Sequence, residues 1–310
     1  MGLLCRFASR FPLLAAEILE RDRHKRRNFR EETITDVLMA GLVPFEPLDI
    51  KTDYPVDESL TGEDMDWEFV NEHAVDGRRY LRLHIQAKRA RRSNGKKSYW
   101  LYNELDHAVK PKPPKGMPKP PKAASKSRPP YGTQHKLLLD EAAKLAGCVP
   151  LYMFYHPASS LQPPSGVLPA IEGVNWMFAD QIPVTPKRWP VGDRKLERWR
   201  PYFHPLRDLL CFGHDWEPIK VDGPDGLLFL IAPQPASPTP GEIAARLNEH
   251  RGLEPTVKDR PPIRAVADIP QSTLRAVRAA RDGRRVAEIQ RPRVIFVSGP
   301  DLSSDGDRQP

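Results

Sequence analysis

The stretch from Asp66 to Ala90 constrains the fold most. DWEFVNEHA and RRYLRLHIQAKRA alternate polar and apolar residues and flank an Asp76-Gly77 step. Successive strand side chains point to opposite faces and Asp-Gly suits a tight turn, so the pattern predicts a β-hairpin. In the second run Leu81, Leu83, Ile85 and Ala87 share one side, and Tyr80, His84, Gln86 and Lys88 share the other. The first side requires a core; the second carries chemistry. A turn centred near Gly77 sets Asp66 opposite Lys88 and Glu68 opposite Gln86, which gathers two carboxylates, an amide and an ammonium on the polar face.

The neighbouring segments extend this hairpin into an α/β unit. Residues 9–27 read as a charged amphipathic helix, and a second helix runs from Phe29 to Leu42. At about 100° per residue, Ile34, Val37, Leu38 and Leu42 define its buried face, with Glu31 on the edge of that face and Glu32 and Asp36 pointing away. An acid on a core-facing edge needs a partner, and a metal or a lysine on the adjoining sheet would serve. Leu48 to Tyr54 is a short extended stretch, Thr133 to Ala146 a helix ended by Gly147, and 150–155 (PLYMFY) a buried strand. Beyond Pro157 the strand candidates are 174–179, 227–232 and 293–298, and the helix candidates are 203–212, 240–251 and 271–289. No internal repeat is present.

Charge and composition narrow the function classes. The chain has 310 residues, 35 prolines and a net charge of +8. No apolar run approaches the roughly 20 residues that a membrane span needs, which excludes a membrane protein. The apolar patch at 12–19 continues into charged helix formers with no small-residue cleavage site, so it reads as part of an N-terminal helix. Residues 107–130 (HAVKPKPPKGMPKPPKAASKSRPP) form a disordered Pro/Lys-rich insertion in which Lys110, Lys112, Lys115, Lys119, Lys122, Lys126 and Arg128 stand without an acid. Such a run attracts polyanions by counterion release, or is a solvated linker. Cys5, Cys148 and Cys211 are too few and too scattered for a disulfide framework, which favours a reducing cytoplasm. There is no Walker A loop, GxGxxG after a strand, HExxH or GxSxG elbow.

Glu31 in a helix, Asp66 at the start of a strand and Gln86-Ala87-Lys88 at the end of the next resemble the PD-(D/E)xK, or restriction-endonuclease-like, nucleases. The nearest branch is the Mrr-like one, in which glutamine replaces the first acid of the third motif. The ordered set FREETITD, DMDWEF, IQAKR, QHKLLLDEA and PLYMFY is also similar to a bacterial protein family of uncharacterised function, over roughly residues 28–156. The resemblance implies a nuclease-like core at 1–156, with a mixed central sheet flanked by helices, and a C-terminal elaboration at 157–310. It implies a nuclease dependent on Mg²⁺ or Mn²⁺ that hydrolyses phosphodiester bonds, DNA favoured, in a bacterial defence or restriction setting. Asp66, Gln86, Lys88 and Glu31 are then the catalytic set. Glu31, Asp66, the Gln86 amide oxygen and the backbone carbonyl of Ala87 become hard oxygen ligands. The ion would activate a water and polarise the phosphoryl oxygen, with Lys88 positioning that water or stabilising transition-state charge. Glu68 and Gln134 stand in reserve. Nucleic acid is the implied partner, and a homodimer or a partner protein of a defence system is left open.

Two other readings share these residues. The same fold without catalysis is a nucleic-acid-binding module, which the neutral Gln86 suits. Asp66, Glu68 and Lys88 as a cross-strand ion-pair ladder make a structural or partner-binding protein instead. Elsewhere, His204, Cys211 and His214 contain a Cys-x-x-His step that Cys148 alone would complete. Cys211 lies among Leu206, Leu209, Leu210 and Phe212 as core cysteines do, and zinc is set aside there. The arginines from Arg275 to Arg293 recur at near-helical spacing, as a second polyanion surface or the solvated face of a helix.

Overall fold

The computed structural model describes residues 2–21, 29, 31–54, 64–93, 98–103, 105, 133–184, 189–212, 237–253, 260–281 and 291–299. In chain order the elements are α1 (Leu3–Arg21), α2 (Glu31–Leu42), β1 (Ile50–Asp53), β2 (Asp64–Val70), β3 (Tyr80–Arg89), β4 (Arg91–Arg92), β5 (Trp100–Leu101), α3 (Thr133–Ala143), β6 (Cys148–Tyr155), β7 (Val174–Phe178), α4 (Leu196–Trp199), β8 (His204–Pro205), α5 (Arg207–Leu210), α6 (Pro240–Leu253), α7 (Gln271–Arg281) and β9 (Arg293–Val297). Seven strands make one sheet in the order β1-β9-β2-β3-β6-β7-β8, and β4 pairs with β5. Both antiparallel and parallel pairs occur: β2 runs antiparallel to β3, and β3 parallel to β6, with α3 between them in sequence. The chain is α/β, with a mixed central sheet flanked by helices. No helix among the described residues is long and apolar enough to cross a membrane.

Strand parity decides which face becomes the core. Met65, Trp67 and Phe69 of β2 join Leu81, Leu83, Ile85 and Ala87 of β3 in the main apolar cluster. Over them lie Ile34, Leu38 and Leu42 of α2, and Leu4, Ala8, Phe11, Ala15 and Leu19 of α1, spaced as one helical stripe. Each fully buried large side chain of this kind contributes about 1.5–3 kcal/mol. α1 passes so close to the sheet that a Cβ at Gly173 would stand 1.7 Å from the Pro12 carbonyl oxygen, so glycine is required there. The opposite face is divided. Tyr152, Phe154 and Met177 form a second apolar cluster with Leu138 of α3, Val70, Tyr80 and Ile295 meet Ala276 and Val277 of α7, and polar side chains fill the middle.

The segment after residue 156 is built into the sheet. It supplies β7, β8 and β9, and β9 inserts between β1 and β2. Every residue of β9 is buried, as a strand covered on both faces must be. The helix expected over 203–212 divides into β8 and the short α5. The helix expected over 271–289 is α7 as far as Arg281, while Arg291 and Arg293 belong to ion pairs with Glu141 and Asp53. The strand expected at 227–232, the insertion at 107–130 with Lys110, Lys112, Lys115, Lys119, Lys122, Lys126 and Arg128, and His214 all lie outside the described residues.

The cysteine reading is corrected. Cys5 of α1 and Cys211, the residue after α5, are joined as a disulfide with their Cα atoms 4.6 Å apart, which leaves Cys148 as the free thiol. A sequence separation of 206 hides such a pair from any local pattern, and cysteine usage no longer argues for a reducing compartment. Reduction should lower stability by about 2–4 kcal/mol, because the cross-link removes loop entropy from the unfolded chain. Thiol titration of the denatured, unreduced chain should find one reactive cysteine. Three thiols, with no change in the melting curve on reduction, would refute the bond.

Candidate active site

β2 and β3 form the expected hairpin in a different register. The connection at 71–79 is a wide loop: Asn71 N–H donates to the Arg79 carbonyl, Arg78 N–H donates to Asp76 Oδ1, and Gly77 has a φ of 76°. Arg79 and Tyr80 N–H both donate to the Val266 carbonyl, which holds the start of β3 against a segment far along the chain. The pairing centre therefore moves back from Gly77. Asp64 lies opposite Gln86, Asp66 opposite His84 and Glu68 opposite Arg82, in place of the expected Asp66 with Lys88 and Glu68 with Gln86. The slip is by an even number of residues, so the shared face survives.

Asp66 and Glu68 are buried in a polar network of their own. Asp66 accepts a hydrogen bond of 2.7 Å from His84 Nδ1 and pairs with Arg82. Arg291 lies 3.3 Å from His84 Nε2 and 2.6 Å from Glu141, whose carboxylate is 3.7 Å from the same ring nitrogen. Glu68 accepts a 2.6 Å bond from the Thr273 hydroxyl and lies 3.8 Å from Arg82 and 4.0 Å from Arg293. Burial pushes the Asp66 carboxyl up, but the His84 hydrogen bond and the Arg82 charge outweigh it and bring it down to about 2. Burial dominates at Glu68 and raises its carboxyl despite Arg293 and Arg82. Asp66 and Glu68 thus enter an ion-pair network through Arg82, whereas the ladder foreseen as an alternative ran through Lys88. Arg82 and His84 were legible as same-face positions; Thr273, Arg291 and Arg293 arrive from the distant C-terminal segment and leave no local signal.

Gln86 and Lys88 continue the same face and are each 1% exposed. Lys88 Nζ donates a 3.0 Å hydrogen bond to Gln134 Oε1 in the first turn of α3, so the reserve residue Gln134 does reach the hairpin. On the β6 side Gln86 pairs with Tyr152 and Lys88 with Phe154, which gives the pair an aromatic flank. An ammonium this deep is costly unless polar groups hold it. The ladder between β2 and β3 ends at Asp64 and Gln86, one residue before Ala87, whose methyl joins the main core.

Glu31 opens α2, buried, with Arg91 at 3.7 Å. One turn on, Thr35 bonds the Tyr155 hydroxyl at 3.0 Å. α2 covers the apolar face, so Glu31 stands where β3 ends, whereas Asp66 lies farther back beside His84. Among the described contacts none joins Asp66 to Lys88. The acid that the register sets beside Gln86 is Asp64, which the sequence reading passed over although DMDWEF contains both acids at the same parity.

A family model described as a family of unknown function, DUF6615, matches residues 4–302. No curated protein and no solved structure matches the chain.

Proposed function

We propose that this chain, which belongs to the DUF6615 family over residues 4–302, is a metal-dependent nuclease on a restriction-endonuclease-like core, acting on DNA first among nucleic acids. The observation that carries this reading is Lys88: an ammonium 1% exposed, on the same strand face as an equally buried Gln86 and hydrogen-bonded by Gln134. A fold that uses such groups only for packing gains nothing from them, and violations of that kind concentrate at functional sites. Asp64, opposite Gln86 in the register, is the acid this reading adds.

The donor types fit a hard divalent cation. The register sets the acid Asp64 opposite Gln86; an acid with an amide oxygen is a residue pair that suits Mg²⁺ or Mn²⁺, weaker than two acids would be. Either ion, when bound, supplies Lewis acidity toward a phosphoryl oxygen and a more acidic water. Lys88, oriented by Gln134, counters the negative charge that builds on the phosphoryl oxygens during attack. The lysines of 107–130 supply phosphate contacts that carry no sequence information. A bacterial defence or restriction setting rests on the sequence resemblance.

The purified chain should cut plasmid DNA in Mg²⁺ or Mn²⁺ and leave it intact in EDTA, with single-stranded DNA and RNA run alongside to set the substrate class. The second reading, a binding module without catalysis, draws on Asp66 and Glu68 being paired with Arg82 and Arg293. A salt-sensitive DNA shift with no cleavage in any metal would select it. Neither shift nor cleavage would remove both.

A further inference from the structure

A second cluster lies at the far edge of the sheet, on the apolar face. β8, α5 and α6 bring together His204, Asp208 and His250, whose ligand atoms all lie within 4.8 Å of one another. His250 Nε2 is 3.2 Å from Asp208 Oδ2, and the two imidazole centroids are 4.3 Å apart. The Trp176 ring closes one side, at 4.5 Å from His204 and 5.4 Å from His250. The other side opens to solvent, with the His250 and Asp208 side chains 15% and 21% exposed.

Nε2 of His204 is buried with no hydrogen-bond partner among the described residues, and Nε2 of His250 is buried with Asp208 at 3.2 Å but outside hydrogen-bond geometry. A simple ion pair between His250 and Asp208 accounts for one ring and leaves the other unexplained. Two buried imidazole nitrogens beside one carboxylate, each costing about 1–3 kcal/mol if left unsatisfied, are relieved together by an ion that accepts both lone pairs.

We propose that His204, Asp208 and His250 bind one divalent transition-metal ion, with zinc preferred. Two nitrogens and one oxygen form a borderline donor set that favours zinc over the hard ions Mg²⁺ and Ca²⁺. Ligands on a tetrahedral zinc stand about 3.3 Å apart for bonds near 2.0–2.1 Å, so the His250 to Asp208 spacing is already correct and side-chain rotation closes the rest. The solvent side leaves the fourth position to a water. The ion would pin α6, which follows a long intervening segment, to β8 and α5. It is separate from the hairpin site and does not depend on the nuclease reading.

The test uses the full chain, stripped with chelator and held in millimolar Mg²⁺ so that oxygen-rich sites are occupied. Zinc should bind at one equivalent per chain and raise the melting temperature. Cobalt in its place should give a visible ligand-field absorption. Asp208→Asn, isosteric and partly exposed, and His250→Gln should each weaken zinc affinity at least about a hundredfold and remove the cobalt band, because changes to outer-shell groups alone cost 10–100-fold. Asp208→Asn should melt with the metal-free wild type, which keeps the comparison valid if His250→Gln does not fold. Zinc stoichiometry and affinity unchanged in Asp208→Asn, or no equivalent of zinc on the wild type, would overturn the proposal.

Discussion

Lys88→Ala should reduce metal-dependent cleavage by about 10²–10³-fold while leaving metal affinity in place. The substitution removes a preorganised positive charge from the transition state and no oxygen ligand. Asp64→Ala should abolish cleavage together with metal binding, because it removes the acid that the register sets opposite Gln86. Gln86→Glu completes a two-carboxylate set, so it should raise Mg²⁺ affinity and keep or increase the rate. Melting curves must accompany these rates, since Lys88 is buried and its truncation opens a cavity as well as removing a charge. A Lys88→Ala protein that melts like the wild type and cuts at the wild-type rate would move the active site elsewhere. Loss of activity in Asp64→Ala without loss of metal binding would assign Asp64 a positioning role.

The hairpin was legible because its signal is local. Parity alone sorted Leu81, Leu83, Ile85 and Ala87 from Gln86 and Lys88, and the structure keeps that division. Register was not legible, because the Asp76-Gly77 step looks like a two-residue turn and gives no sign that Val266 intervenes by bonding Arg79 and Tyr80. In the observed register Asp64, and not the expected Glu68, stands opposite Gln86, and Asp66 faces His84 in place of Lys88. The same limit explains β9: RVIFV reads as a buried strand, but no short-range feature places it between β1 and β2. The cluster of His204, Asp208 and His250 shows it again. His204 was noticed for its neighbours Cys211 and His214, yet its partners are Asp208 in α5 and His250, brought in by α6. Cys211 is committed to Cys5.

Asp66 now carries the sharpest test of how the polar face is divided. Asp66→Ala should destabilise the fold by about 3–5 kcal/mol, because it leaves Arg82 and His84 facing a site that has lost its charge. Asp66→Asn keeps the shape and isolates the titration. The folded carboxyl lies at about 2 against an ordinary value of 3.8, so its stabilisation is present above about pH 4 and lost as pH falls from 4 toward 2, worth about 2 kcal/mol. Glu68 acts in the opposite sense: its raised value contributes stability at low pH that is lost as pH rises through that value. The quantity to read is therefore the difference between wild type and Asp66→Asn in denaturant melts across this range, which should flatten below about pH 2. A carboxylate occupied by His84 and Arg82 has little capacity left for a cation, so Asp66→Asn should retain cleavage at temperatures where it stays folded. If it instead loses metal binding with its stability intact, Asp66 is the ligand and the site lies one pair farther along the hairpin.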